Sequence, residues 1–163
     1  AAAPRSRSVL AIDLNPDAIH TTRRNAERLG IENLETRRLD LTREAVAGSF
    51  EVVLCGPPFS EVQLDDVRQR WAGARAFTPL VFARAEEWLH AGGTLIVHHL
   101  ANAGARLEAL GLRHGFRLRE ARPNHEKPLR LQLLALLYAQ VGLRTAFYVF
   151  ERTADDEPSI AST

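Results

Sequence analysis

The sequence predicts an α/β fold built on a mostly parallel sheet, and three observations carry the prediction. Short apolar runs alternate with longer helix-like segments along most of the chain. Three of the runs end at polar or turn-forming residues, namely Asp13, Asp40 and Gly56-Pro57-Pro58-Phe59. Glycines at Gly30, Gly92-Gly93 and Gly115 close the helix-like segments.

Taken in order, Ser8 to Ile12 is an apolar run that reads as a strand buried on both faces. Asn15 then caps a helix with Pro16 at its first position and Asp17 in its first turn. That helix turns Ile19, Ala26 and Leu29 inward and stops at Gly30. Leu34 to Leu39 is a weaker strand closing on Asp40, followed by a short helical turn from Thr42 to Ala47. Phe50 to Cys55 is another strand of the buried kind, broken at Gly56. A loop and irregular helix run to about Gly73. Thr78-Pro79 begins a helix to His90, Thr94 to His98 is a strand, and a helix spans about Asn102 to His114. Phe116 to Ala121 and Thr145 to Glu151 read as strands. Leu129 to Gln140, apolar all round, reads as helix from its length.

The 163 residues fit one domain, taken as residues 1–153 with a polar, flexible tail over 154–163. Hydrophobic residues make up 45% and charged residues 25%, which excludes a disordered or fibrous chain. The net charge of +1 argues neither for nor against a nucleic-acid partner. Methionine is absent and the chain opens Ala1-Ala2-Ala3-Pro4, so either the start was processed or upstream residues exist. The lone Cys55 cannot form an internal disulfide, and no segment has the length or pattern of a membrane span or signal. A cytoplasmic, soluble protein with no membrane partner is expected.

In an open parallel sheet, ligands bind at the carboxyl ends of the strands. Asp13, at such an end, can accept hydrogen bonds from a ribose diol, or can serve as a helix-start acid. Asp40 can accept from an amino group such as that of adenine, or can cap the turn at Thr42. The two prolines remove amide donors and hold the loop carbonyls in place, and Phe59 can stack on a planar group or fill the core.

These residues resemble the middle of a class I S-adenosylmethionine-dependent methyltransferase. The similarity runs through Val9-Leu10-Ala11-Ile12-Asp13-Leu14-Asn15-Pro16, Asn25-Ala26-Glu27-Arg28-Leu29-Gly30, Leu39-Asp40-Leu41, and Val52-Val53-Leu54-Cys55-Gly56-Pro57-Pro58-Phe59. Leu89 to Val97 resembles the approach to the family's fifth strand. More narrowly, the chain resembles the branch with an Asn-Pro-Pro-Tyr/Phe motif, which methylates amino groups of nucleobases or of glutamine. The resemblance implies a Rossmann-like methyltransferase sheet ending in an antiparallel hairpin, with S-adenosylmethionine as cofactor. It implies that Asp13 binds the cofactor ribose, Leu14 packs on the adenine, and Asp40-Leu41 meets the adenine edge. Gly56, Pro57, Pro58 and Phe59 then hold the target.

Two features depart from the pattern. The family's glycine-rich cofactor loop is missing, since no Gly-x-Gly occurs, and with it the first, central strand. An upstream segment, or another that fills the gap, is therefore expected. Gly56 stands where the family usually places Asn, which retains a carbonyl but loses a side-chain acceptor.

Elsewhere, His98 and His99 are neighbours on a strand and face opposite ways, and the remaining histidines lack ligand spacing, so no metal is expected. Cys55 reads as a small buried residue. The basic stretch Arg113 to Arg130 reads either as a phosphate-contacting patch or as a solvated face. Glu86-Glu87 and Asp65-Asp66 read as exposed helix residues. Three functions follow: a methyltransferase acting on an amino group of RNA or of a protein glutamine, a non-catalytic methyltransferase-like binding or assembly domain, and a nicotinamide-dependent dehydrogenase fragment.

Overall fold

A computed structural model describes residues 5–57, 77–124 and 144–153. The irregular helix expected up to Gly73, the helix over Leu129–Gln140 and the polar tail lie outside the described residues. Two compact units divide the chain, residues 1–46 and 47–163.

The first unit is a strand–helix–strand arrangement. Strand β1 (Val9–Asp13) pairs in parallel with β2 (Leu34–Arg38), in register from Val9 opposite Leu34 to Asp13 opposite Arg38. Helix α1 (Pro16–Arg28) joins them. Its start follows the expected chemistry, with the Asn15 side chain accepting from the Asp17 amide at 2.9 Å and Pro16 at the first position. Its end is a paired-bond cap. The Ile31 amide donates to the Ala26 carbonyl and the Gly30 amide to that of Glu27. Gly30 takes φ 62°, which a side chain would oppose. Ile19 and Ala26 are buried as expected, but Leu29 is 73% exposed. The reason is local: Leu29 has already left helical geometry as the capping residue, which swings its side chain off the apolar stripe. The short helix expected over Thr42–Ala47 is only a single turn, closed by the Glu44 amide on the Asp40 carbonyl.

The second unit holds a four-stranded sheet in the order β3 (Phe50–Cys55), β4 (Leu89–Leu100), β6 (Thr145–Arg152), β5 (Phe116–Pro123). Strands β3 and β4 are parallel, whereas β6 runs antiparallel to both β4 and β5. Helices α2 (Phe77–Trp88) and α3 (Gly104–Arg113) supply Phe82, Ala85 and Leu107 to a core with Leu95, Val97, Tyr148 and Phe150 of the sheet. The Phe82 ring stands edge-on to Phe116 and Phe150, at centroid distances of 5.9 and 5.1 Å.

Two sequence expectations change here. Helix α2 stops at Trp88 rather than His90, because β4 already begins at Leu89. Gly92, at φ 78°, lets the backbone turn within it, and a Cβ on Gly93 would meet the His90 carbonyl at 2.8 Å. Strand β3 is not buried on both faces. Val53 and Cys55 face the core, while Val52 and Leu54 are 55% and 64% exposed on the opposite face. Among the described residues, no helix is long and apolar enough to cross a membrane.

Candidate functional site

In the first unit, Asp13 and Asp40 come to the same end of the β1–β2 pair, where the Leu39 amide donates to the Asp13 carbonyl at 3.0 Å. This is the carboxyl end of both strands. Asp13 is exposed, and its Oδ1 accepts from the Asn15 amide at 2.8 Å, so the carboxylate shapes the turn into α1. The Leu14 carbonyl in that turn accepts from Arg38 Nε at 3.2 Å. Asp40 Oδ1 accepts from both the amide and the hydroxyl of Thr42, at 3.0 and 2.6 Å. Those bonds, the hydroxyl's first, hold the Asp40 carboxyl below its ordinary range, with Arg43 nearby at 3.7 Å adding to the effect. Asp40 thus makes the capping contacts that one reading of the sequence foresaw. Leu14 and Leu41 follow the two acids and are half-buried.

In the second unit, Gly56 and Pro57 follow the carboxyl end of β3, with Pro57 buried and Gly56 exposed; Pro58 and Phe59 lie outside the described residues. A Cβ built on Gly56 meets nothing among the described residues within 4 Å. Cys55, just before it, packs against the core, and burial pushes its thiol up to about 12.

A cluster that the sequence did not bring together lies on the neighbouring strands. The His98 ring of β4 stacks on Phe147 of β6 at 4.7 Å, with the planes 28° apart. Its Nε2 lies 3.4 Å from the Asn124 side-chain nitrogen, just past the end of β5, and that nitrogen donates to Thr145 Oγ1, also at 3.4 Å. Burial lowers the His98 pKa. The sequence reads His98 as an ordinary polar or half-buried histidine, and it is half-buried. The signal was its place at the carboxyl end of a strand, but its partners come from β6 and beyond β5 and could not be paired from sequence alone. His99 faces the other way, as expected, and is buried with its Nδ1 accepting from the Leu100 amide at 2.9 Å.

The basic stretch is partly neutralised. Arg119 of the edge strand β5 pairs with Glu151 of β6, and Arg122 pairs with Glu120 along β5. Residues 125–130 lie outside the described residues. Glu86 and Glu87 are exposed on α2, the first 2.9 Å from His114 and the second 2.8 Å from Arg84. No group of three or more potential metal ligands occurs among the described residues.

The chain is 29% identical over 113 residues to the release factor glutamine methyltransferase of Shigella dysenteriae, covering 69% of this chain and 40% of that protein. It spans about 40% of the length of the curated relatives it matches. Among solved structures it resembles the N-methyltransferase NodS of Bradyrhizobium japonicum in complex with S-adenosyl-L-homocysteine. The TM-score there is 0.62 at 14% identity, covering 93% of this chain and 70% of that one. It also resembles an rRNA methylase of Streptococcus thermophilus, with TM-score 0.60 at 17% identity, covering 94% of this chain and 78% of that one. At these identities the two structures speak for a Rossmann-like methyltransferase fold, in agreement with the α/β class read from the sequence. Residues 1–118 match the methyltransferase small domain, and the chain belongs to that family.

Proposed function

We propose that the protein is an S-adenosylmethionine-dependent methyltransferase acting on the side-chain amide nitrogen of a protein glutamine. One observation carries the reading. In a chain of this family, two carboxylates stand together at the carboxyl end of a parallel strand pair, Asp13 before a helix and Asp40 on the adjacent strand's exit.

The residues present fit such a cofactor. Asp13 Oδ1 takes one amide hydrogen bond, and a carboxylate has further lone pairs for a ribose diol. Leu14 and Leu41 offer apolar surface for a base, and Asp40 an acceptor for its amino group. When bound, S-adenosylmethionine supplies an electrophilic methyl, which the acceptor nitrogen takes while the carbon–sulfur electron pair returns to sulfur. The acceptor nitrogen sheds a proton to solvent. The chain's part is orientation. Gly56 and Pro57 offer carbonyls as acceptors for the target amide hydrogens, and the sequence next supplies Pro58 and Phe59, residue types suited to a stiff loop and to stacking. Alignment of this kind accounts for much of the acceleration in a displacement.

Glutamine is favoured over RNA because the named sequence relatives act on release factor glutamine, and because Arg119 and Arg122 are already paired with carboxylates. The bare carbon at Gly56 favours a second reading, a methyltransferase-like domain that binds without catalysing. Calorimetry with S-adenosylmethionine, followed by labelled methyl transfer to glutamine peptides, tests both. Asp13→Ala is expected to weaken cofactor binding by about tenfold or more, the scale of a lost charged hydrogen bond. Unchanged affinity in that variant refutes the role of Asp13, and binding without turnover selects the second reading.

A further inference from the structure

We infer that Arg38 is a positioning residue for the cofactor ribose: by donating to the Leu14 carbonyl it fixes the peptide whose amide holds Asp13, and so sets that carboxylate for the ribose diol. The role rests on the S-adenosylmethionine reading of the site and adds to it a residue that need not touch the cofactor.

The register brings Arg38 there. It is the last residue of β2 and pairs with Asp13, the last residue of β1. The next residue, Leu39, is buried, and its amide continues the ladder onto the Asp13 carbonyl. From this position the Arg38 side chain reaches one residue past its partner, into the turn between β1 and α1. There its Nε donates to the Leu14 carbonyl at 3.2 Å.

The carbonyl of Leu14 and the amide of Asn15 belong to one peptide group, which is planar and moves as a unit. The amide donates to Asp13 Oδ1 at 2.8 Å, while the carbonyl accepts from Arg38. The plane is therefore held at both ends, by a carboxylate on one side and a guanidinium on the other. A charged donor on the carbonyl also polarises the group and strengthens its amide as a donor, so the two bonds support each other. On the helix side, Asn15 is tied down by its own cap, its side chain accepting from the Asp17 amide. Arg38 adds the tie to the neighbouring strand. A carboxylate whose Oδ1 is already placed gives up less freedom when a diol binds, which is how a residue away from the ligand raises affinity.

Three substitutions separate the donor from the charge. Gln carries its amide nitrogen at the same distance along the side chain as Arg carries Nε, Met carries a methyl group there, and Lys sets its ammonium one atom further out. Calorimetry of the full chain with adenosine, and separately with 2′,3′-dideoxyadenosine, reads the role. Arg38→Met is expected to weaken adenosine about threefold to tenfold, the scale of one hydrogen bond, and to leave the dideoxy compound, which offers Asp13 no diol, unchanged. Arg38→Gln is expected to restore adenosine binding and Arg38→Lys to leave it weak. Equal losses for the two nucleosides overturn the role, as does recovery with Lys but not with Gln, the mark of a charge acting at a distance. Amide exchange followed by NMR gives a readout without ligand: Asn15 is expected to exchange faster in Arg38→Met and at the parent rate in Arg38→Gln. Unchanged exchange in Arg38→Met overturns the role whatever the nucleosides do. Calorimetry with S-adenosylhomocysteine judges the methyltransferase reading separately: its failure to bind the parent chain removes that reading, while the Asn15 exchange still decides whether Arg38 holds the peptide that carries Asp13.

Discussion

Gly111 of α3 lies directly against the Phe150 ring of β6: a Cβ at that glycine would come within 2.9 Å of Cε1 and 3.0 Å of Cδ1. Phe150 is fully buried and held edge-on by Phe82, so the ring has little freedom to withdraw. Helix propensity alone makes Gly111→Ala stabilising by about 1 kcal/mol. Overpacking a rigid core costs about 1–3 kcal/mol. The second effect is expected to win, with a urea midpoint below that of the parent; a higher midpoint would show that the ring yields.

Tyr148 makes a comparable link with its hydroxyl, which donates to the carbonyls of Leu100 and Ala101, each at 2.9 Å. These bonds fasten β6 to the point where β4 passes into the short 3-10 turn Ala101–Ala103 and then α3. Tyr148→Phe keeps the ring and removes the shared donor. A loss of about 1–2 kcal/mol is expected in chemical denaturation. Earlier amide exchange around Ala101–Gly104 than in the parent would locate the damage, whereas uniform exchange would mean that the hydroxyl does not tie down this turn.

The buried His99 is expected to make stability depend on pH. Burial, then Arg106 and His98, lowers its pKa below the ordinary 6.5. The unfolded chain therefore binds a proton first as pH falls. Stability is complete above about pH 6.5 and declines as pH drops towards the depressed folded value. His99→Asn, whose amide oxygen can replace Nδ1 as acceptor for the Leu100 amide, should flatten this decline between neutral and mildly acidic pH, leaving the share that His98 contributes. An unchanged slope in the variant would place the dependence elsewhere.

Cys55 is expected to be inert despite its position beside Gly56. Its thiol is pushed up to about 12 by burial against the core, so almost none is thiolate near neutral pH. Ellman's reagent should modify the native chain far more slowly than the urea-unfolded chain. Equal rates would mean that the end of β3 opens readily.

Much of the architecture was legible in the residues themselves. Asn15, Pro16 and Gly30 bracket α1 because capping and positive-φ preferences act over a few neighbouring residues. The runs ending at Asp13, Asp40 and Gly56 marked three strands, each of which has a parallel neighbour in its own sheet. The exposure of Leu29, Val52 and Leu54 was not legible, since it depends on how α1 unwinds and on which sheet face α2 and α3 cover.

The sequence by itself determined the α/β class, the start and stop of α1, and the acids and prolines at the strand ends, because each depends on local conformation and local spacing. Only the tertiary structure decided that β6 enters between β4 and β5, that His98 lies on Phe147, and that Gly111 must stay bare for Phe150. Those relationships depend on register between segments far apart in the chain, where a shift of one residue would turn every side chain to the opposite face.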